Sequence, residues 1–161
     1  MNFERLRKRY APSNVRVLLV GESPPAGGTF FYAGNSNLFR YTKAAFEQAH
    51  QQAWTSHEQF LKFFQREGFY LDDLCLDPVN GLPNAVRRKC RHAGVHSLAS
   101  RIARRDPNHV LVTPKVILPQ VKRAIELAGS QADIHALPFP AMSWQQAYVD
   151  DLVTFLRCRS V

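Results

Sequence analysis

A run of apolar residues near the N-terminus, V-R-V-L-L-V at 15–20, constrains the fold more than any other feature of the chain. It is far shorter than the roughly 20 apolar residues that a membrane span needs, and only Arg16 interrupts it. A strand with apolar side chains on both faces is typical of the interior of a parallel sheet that helices cover. The run therefore predicts a central strand of an α/β fold.

Further strands and helices alternate along the chain. Strand patterns occur at 69–74, 110–112 and 132–137. Helix patterns begin at residue 36 or 37, at a capping box of Thr55 and Glu58, at 96–105, at Pro119, and at a capping box of Ser143 and Gln146. Residues 77–94 are rich in turn formers and are predicted to be irregular. The order predicts a three-layer α/β/α sandwich with a short, mainly parallel central sheet, in a single domain that spans residues 1–161.

The charge of the chain favours a polyanionic partner. The formal net charge is +8, and residues 78–125 contain ten Lys or Arg and one acid, Asp106. Such an excess is typical of nucleic-acid binding, with DNA as the expected partner here, although a basic surface without a specific partner also explains it. The N-terminus lacks an apolar secretory segment, so the expected location is the cytoplasm. Three scattered cysteines support neither disulfides nor a metal site, and no cofactor is predicted.

The loop after the first strand, G-E-S-P-P-A-G-G-T-F-F-Y at 21–32, is longer than a turn requires. It begins with a carboxylate and two prolines, continues with two glycines and ends in three aromatic residues. Ligands of parallel sheets bind at the carboxyl ends of the strands, where this loop lies. The loop is therefore predicted to form the rim of a pocket, with the alternative that its rings belong to the core and its prolines only stiffen a turn.

G-E-S-P-P after a buried strand, followed by a Gly-Gly-aromatic loop, resembles motif one of the uracil-DNA glycosylase superfamily, whose members carry G-x-D-P-Y, G-x-N-P-G or G-E-A-P-G at this point. The segment L-P-F-P-A-M-S at 137–143 is similar to a displaced second motif, which is H-P-S or N-P-S in family members. The resemblance covers about residues 15–157 in the order of elements, and only motif one is specific. It implies the three-layer fold that the strand and helix patterns predict independently.

The resemblance implies that a damaged base is flipped out of DNA and that its N-glycosidic bond is hydrolysed. It places Glu22 and Ser23 in the catalytic role, with Glu22 positioning a water or stabilising the sugar cation. The implied substrate-binding residues are Gly21, Pro24, Phe30, Phe31, Asp72, Phe139 and Ser143. The candidate nucleic-acid-binding residues come from the basic clusters at 87–92 and 101–105 and are Arg87, Arg88, Lys89, Arg91 and Arg101. The Cys-rich iron–sulfur pattern of some members is absent.

Two positions depart from the family pattern. Ser23 stands where many members carry a catalytic Asp or Asn, and Leu137 stands where they carry the His or Asn of motif two. His135 faces the same side of its strand as Leu137 but lies too deep to replace it. Weak or absent activity on uracil is therefore expected. A non-catalytic module that binds a nucleobase, a nucleotide or nucleic acid is the alternative, and a doubly wound domain with an unrelated small ligand is a third reading.

Overall fold

The computed structural model describes residues 1–159 and has a sheet of four parallel strands at its centre. The strands are β1 (Val17–Gly21), β2 (Phe69–Asp73), β3 (His109–Val112) and β4 (Asp133–Ala136). The helices are α1 (Phe3–Arg9), α2 (Asn37–His50), α3 (His57–Arg66), α4 (Asn84–Ala93), α5 (Val95–Arg105), α6 (Leu118–Ala128) and α7 (Gln145–Cys158). Short 3₁₀ helices cover Phe31–Ala33 and Lys115–Ile117.

The strands lie in the order β2–β1–β3–β4, and every neighbouring pair is parallel. All residues of β1 are buried and the strand has a neighbour on each side, which confirms the prediction from the apolar run. The chain moves from β1 to β2 in one direction along the sheet and then crosses back over β1 to reach β3. The winding direction therefore reverses beside β1, and ligands of open parallel sheets bind at the strand ends next to such a reversal.

Helices flank the sheet and complete the predicted three-layer sandwich. α2 packs against α7, α5 packs against α6, and α3 packs against β2. Phenylalanine rings fill the space between α2, α3 and β2. The ring of Phe46 lies 5.4 Å from that of Phe60, 5.6 Å from that of Phe64 and 4.9 Å from that of Phe69. The apolar spacing along α3 predicts this buried stripe.

A side chain from the loop after β1 covers the outer edge of β2. The Tyr32 hydroxyl donates to the carbonyl of Leu71 at 2.9 Å and accepts from the N–H of the same residue at 2.6 Å. Tyr10, which follows α1, stacks on the Tyr32 ring with the centroids 5.9 Å apart. Backbone groups of an edge strand need such partners when they are buried. The loop is thereby fixed against β2, beside the carboxyl end of the sheet.

The sequence predicts N-caps for α2 and α3. The cap of α2 is confirmed, and the cap of α3 lies one residue after the predicted one. Ser36 caps α2, as predicted, and its hydroxyl accepts a backbone N–H at 3.1 Å. The capping box predicted at Thr55 and Glu58 is wrong, because Ser56 caps α3 and accepts the N–H of Gln59 at 3.2 Å. The Gln59 side-chain oxygen accepts the backbone N–H of Thr55 at 3.2 Å. Both readings fit the sequence, since T-S-H-E-Q offers two overlapping boxes.

Two other expectations about helices are wrong. Ser143 and Gln146 form no capping box, because Ser143 has a left-handed backbone (φ 76°) and Trp144 occupies the N-cap position without a side-chain hydrogen bond. The segment 77–94 is not irregular throughout, because it contains α4. Turn formers precede this helix, and none of its residues is buried, so it lacks the apolar stripe by which the other helices are recognised.

A close approach at Gly94 sets the position of α4 and α5 relative to β2. Gly94 joins the two helices, and its backbone lies directly against the carbonyl of Leu74, just beyond the end of β2. A Cβ on Gly94 would overlap the Leu74 carbonyl oxygen and lie 3.2 Å from its carbon. Because both contacts are with backbone atoms, a side chain here requires the helix pair to move.

We expect Gly94→Ala to lower the free energy of unfolding by about 2 kcal/mol, since overpacking against backbone outweighs the better helix propensity of alanine. Gly81→Ala is the matched control, because a Cβ there meets no atom within 4 Å. Urea unfolding of both variants measures the difference. Equal stability of the two variants would contradict the close approach.

Candidate functional site

A cavity of about 570 Å³ opens at the carboxyl ends of the strands. Each strand contributes to its wall, either through its last residues or through the segment that follows it. The lining residues are Gly21, Glu22, Ser23, Pro24, Pro25, Thr29, Phe30, Phe31, Asn35, Ser36, Asn37, Leu38, Leu71, Asp73, Asn80, Arg87, Pro114 and Phe139. The volume and the mixture of rings, amides and charged groups suit a small planar ligand that makes a few directed hydrogen bonds.

Hydrogen bonds hold the loop after β1 in a fixed shape. The Ser23 hydroxyl accepts the N–H of Val79 at 3.2 Å. The Asn80 side-chain oxygen accepts the N–H of Ala26 at 2.9 Å, so a second loop, after β2, supports the first. At the far end, Asn35 accepts the N–H of Phe30 at 2.8 Å. The loops after β1 and β2 therefore form the rim of the cavity together. The Ser23 hydroxyl accepts one of the hydrogen bonds that join them.

The structure brings the predicted ring residues Phe30 and Phe31 to the same cavity as Glu22 and Ser23. Both rings are almost completely buried and belong to the core as well, so only a small part of each faces the cavity. Phe139, after β4, lies at the opposite rim and is 40% exposed. The rings of Phe30 and Phe31 therefore belong to the cavity wall and to the hydrophobic core at once, and both interpretations of the aromatic segment apply.

Glu22 is held in an ion pair with two arginines of α4. Its carboxylate accepts two hydrogen bonds from Arg87, one of them short and the other 2.9 Å long, and a third from Arg91 at 3.1 Å. Burial by itself raises the pKa of Glu22, but the hydrogen bonds and charges of the two arginines outweigh it and hold that pKa below the usual range. Glu22 is therefore ionised at neutral pH, and its negative charge is balanced locally.

Asp72, which was expected to bind the substrate, does not line the cavity. Its carboxylate pairs with Arg101 of α5 at 2.6 Å, and Asp73 lines the cavity in its place. Successive side chains of a strand point to opposite faces, so Leu71 and Asp73 share the cavity face while Asp72 faces α5. Two adjacent carboxylates at the end of a strand indicate that the site lies at the carboxyl edge of the sheet. They do not indicate which of the two faces the cavity, because that depends on how the strand is aligned with the loop after β1.

Asp73 is buried between the end of β1 and the N-terminal helix. Its Oδ2 atom accepts a short hydrogen bond from Arg7 of α1, and the Arg7 guanidinium also lies over the Phe30 ring, 5.2 Å from its centroid. Oδ1 occupies space that exists because residue 21 is glycine: a Cβ on Gly21 would lie 2.5 Å from this oxygen. Burial raises the pKa of Asp73 to about 6, and the charge of Arg7 offsets this only in part.

The residues expected to bind nucleic acid divide into two groups. Arg87, Arg91 and Arg101 point inward and pair with buried acids. Arg88 and Lys89 are exposed on α4 and have no ion-pair partner among residues 1–159. All five residues belong to the two basic clusters of the sequence and were therefore predicted to act together. The helical spacing of residues 87 and 91 instead places these two side by side on the face of α4 toward Glu22.

In the motif-two region, the expected residue Ser143 lies outside the cavity, and Leu137, which departs from the family pattern, has no polar side chain. Ser143 is exposed and is not part of the cavity wall. Leu137 is buried just after β4 and offers no hydrogen bond through its side chain. His135 lies deeper in β4, 3.2 Å from Arg159, away from the cavity. Gly21, Pro24 and Phe139 do line it, as expected.

Several residues of the site are absent from the predictions made from the sequence. Arg7 and the helix that carries it were not predicted, although α1 begins with an Asn cap and ends in three basic residues. Asn35 and Asn80 read as ordinary loop residues. In the described chain, 1–159, no group of three or more His, Cys, Asp or Glu side chains is placed to hold a metal ion.

Residues 1–159 also contain no helix with the length and apolar character that crossing a membrane requires. The chain matches no protein-family model and no curated protein sequence.

Glu22→Gln should loosen α4, because two guanidinium groups then face a neutral amide and the helix has no buried residue to hold it. We expect about 3 kcal/mol of lost stability and hydrogen exchange in residues 84–93 that is faster by a factor of about 10². Glu47→Gln is the matched control, since it breaks the ion pair with Lys43 in α2 without touching α4. Exchange in α4 that stays at the wild-type rate in Glu22→Gln would refute this role of Glu22.

Proposed function

We propose that the chain is a cytoplasmic DNA glycosylase-like protein that takes a flipped, damaged base into the cavity and is weak or inert on uracil. The observation that carries the proposal is the cavity itself: rings, amides, two carboxylates and an arginine converge at the carboxyl ends of the strands. A base removed from the stack needs apolar surface for its faces and polar groups for its edge. The resemblance of the loop to motif one supports the same proposal, because residues 21–25 all line the cavity.

Cleavage of an N-glycosidic bond requires stabilisation of a cationic sugar and of an anionic leaving base. Ser23 is an uncharged hydroxyl, and the charge of Glu22 is balanced by two arginines, so neither group is a strong base. Arg87 is a cation in the cavity wall, and its Nη1 has no partner among residues 1–159. In this proposal Arg87 stabilises the departing base, and Glu22 is a positioning residue that orients Arg87.

DNA would approach over α4, which stands beside the cavity. Arg87 connects this helix to the cavity wall, and Arg88 and Lys89 follow directly on the same helix. A basic surface next to the mouth attracts phosphates whatever the sequence of the DNA, and so it places the backbone while the cavity takes the base.

A non-catalytic module that binds a nucleobase is the second candidate. The balanced charge of Glu22 favours it, as does Leu137, which supplies no donor for the leaving base. Both candidates require the same cavity and the same approach of DNA, and only the release of a free base separates them.

The activity test is incubation of the protein, in excess, with single- and double-stranded DNA that carries a panel of damaged bases, followed by alkaline cleavage. We expect release of at least one base other than uracil, and release of uracil that is much slower or absent. Arg87→Gln should lower the rate by about 10²–10³, as the loss of one preorganised donor does. Arg66→Gln, on α3, is the control and should not change the rate. No release of any base, with binding retained, would favour the binding module.

The DNA-binding test compares two double variants. Arg88→Ala with Lys89→Ala should weaken binding to any DNA sequence and reduce the slope of log affinity against log salt by about two. Lys62→Ala with Arg66→Ala removes the same charge from exposed positions on α3 and should have a smaller effect. If the two double variants lose equal affinity, α4 is not the binding surface.

A further inference from the structure

The two carboxylates of the cavity differ in how fully their oxygens are used. Both oxygens of Glu22 accept hydrogen bonds from arginines. Asp73 uses only Oδ2, on Arg7, and no residue within 1–159 donates to Oδ1. Oδ1 lies in the space left by the missing side chain of Gly21, on the strand face that lines the cavity. Asp73 therefore contributes to the cavity wall a carboxylate oxygen that has no donor among residues 1–159, on a side chain that is 5% exposed.

An ionised carboxylate accepts hydrogen bonds and never donates them. The group of a ligand that meets Asp73 at neutral pH must therefore be an N–H or O–H donor. Arg87 presents the opposite chemistry, because a guanidinium only donates and its Nη1 has no partner among the described residues. Among the charged groups of the wall, Asp73 therefore offers an acceptor and Arg87 offers a donor that have no partner in the described chain. Asp73 disfavours an acceptor group of the ligand, and Arg87 disfavours a donor group.

The common bases differ in how well they match these walls. Uracil and thymine have a single N–H on the pairing edge, flanked by two carbonyl oxygens, so an N–H placed on a carboxylate brings a carbonyl oxygen against it. Cytosine and guanine carry an exocyclic amino group and a carbonyl group. Their amino group can donate to Asp73 and their carbonyl oxygen can accept from Arg87, so no two acceptors and no two donors face each other. A buried polar group that is left unpaired or repelled costs roughly 1–3 kcal/mol.

We propose that Asp73 is the specificity-determining residue of the cavity and selects a base that carries an exocyclic amino group together with a hydrogen-bond acceptor, such as cytosine or guanine, over uracil and thymine. This inference rests on the proposed function in that it requires the cavity to take a nucleobase. It does not require that the base is released. The inactivity expected on uracil then follows from recognition as well as from the missing donor at Leu137.

The surroundings of Asp73 keep this selection rigid. Arg7 fixes Oδ2 and so fixes the plane of the carboxylate. Arg7 is itself held over the Phe30 ring, and Phe3 of the same helix packs on that ring with the centroids 4.7 Å apart. A free acceptor discriminates well only when it cannot turn away from a wrong partner, and these contacts prevent that movement.

The test is equilibrium binding of deoxycytidine, deoxyguanosine, deoxyuridine and thymidine to the full chain at mildly alkaline pH, where Asp73 is ionised. We expect the two amino-bearing nucleosides to bind about tenfold or more tightly than the other two. Asp73→Asn should bring the ratio close to one, because an amide both donates and accepts. Asp72→Asn makes the same change on the opposite face of the same strand and should keep the wild-type ratio.

Equal or tighter binding of deoxyuridine, binding of none of the four, or a wild-type ratio in Asp73→Asn would each overturn the proposal. If Asp73→Asn does not fold, as judged by circular dichroism, the wild-type ratio decides by itself. The result is separable from the glycosylase proposal. Preferred release of uracil from DNA would support base cleavage, but it would refute this selectivity and the expected inactivity on uracil. A preference for deoxycytidine and deoxyguanosine without base release or DNA binding would do the reverse.

Discussion

Three carboxylates are buried at the carboxyl ends of β1 and β2, and each is held by arginine from a different helix. Glu22 is paired from α4, Asp72 from α5 and Asp73 from α1. Breaking a buried ion pair by removing one partner costs about 3–5 kcal/mol, because the remaining charge is left uncompensated. The placement of three helices around the cavity and the charge of the cavity walls are therefore determined by the same contacts.

Because of these ion pairs, part of the positive charge of the chain is neutralised inside the protein and does not attract a polyanion. The formal net charge is +8, but four arginines, at positions 7, 87, 91 and 101, are engaged with the buried acids. Their charges are balanced where they stand. The surface that a polyanion meets is consequently smaller than a count of basic residues implies, and it depends on exposed side chains such as Arg88.

The fold was predictable because the strands and most helices carry local signals: apolar runs, capping residues and glycines at helix ends. The cavity was predictable from the long loop after β1, since the carboxyl ends of parallel strands meet at one edge. What the sequence could not supply were pairings between distant residues. Whether Asp72 or Asp73 faces the loop depends on register, and whether Arg87 points to DNA or to Glu22 depends on α4, a helix with no buried residue. Arg7 reaches Asp73 across 66 positions of the chain.

The Tyr32 hydroxyl, which occupies both backbone groups of Leu71, has a consequence for self-association. An exposed edge strand is a template on which a second molecule adds a strand of its own. At β2 that template is occupied by a side chain of the same chain. The opposite edge, β4, is four residues long and begins with an exposed aspartate, both of which discourage strand addition. Sheet extension between copies is thus disfavoured at either edge.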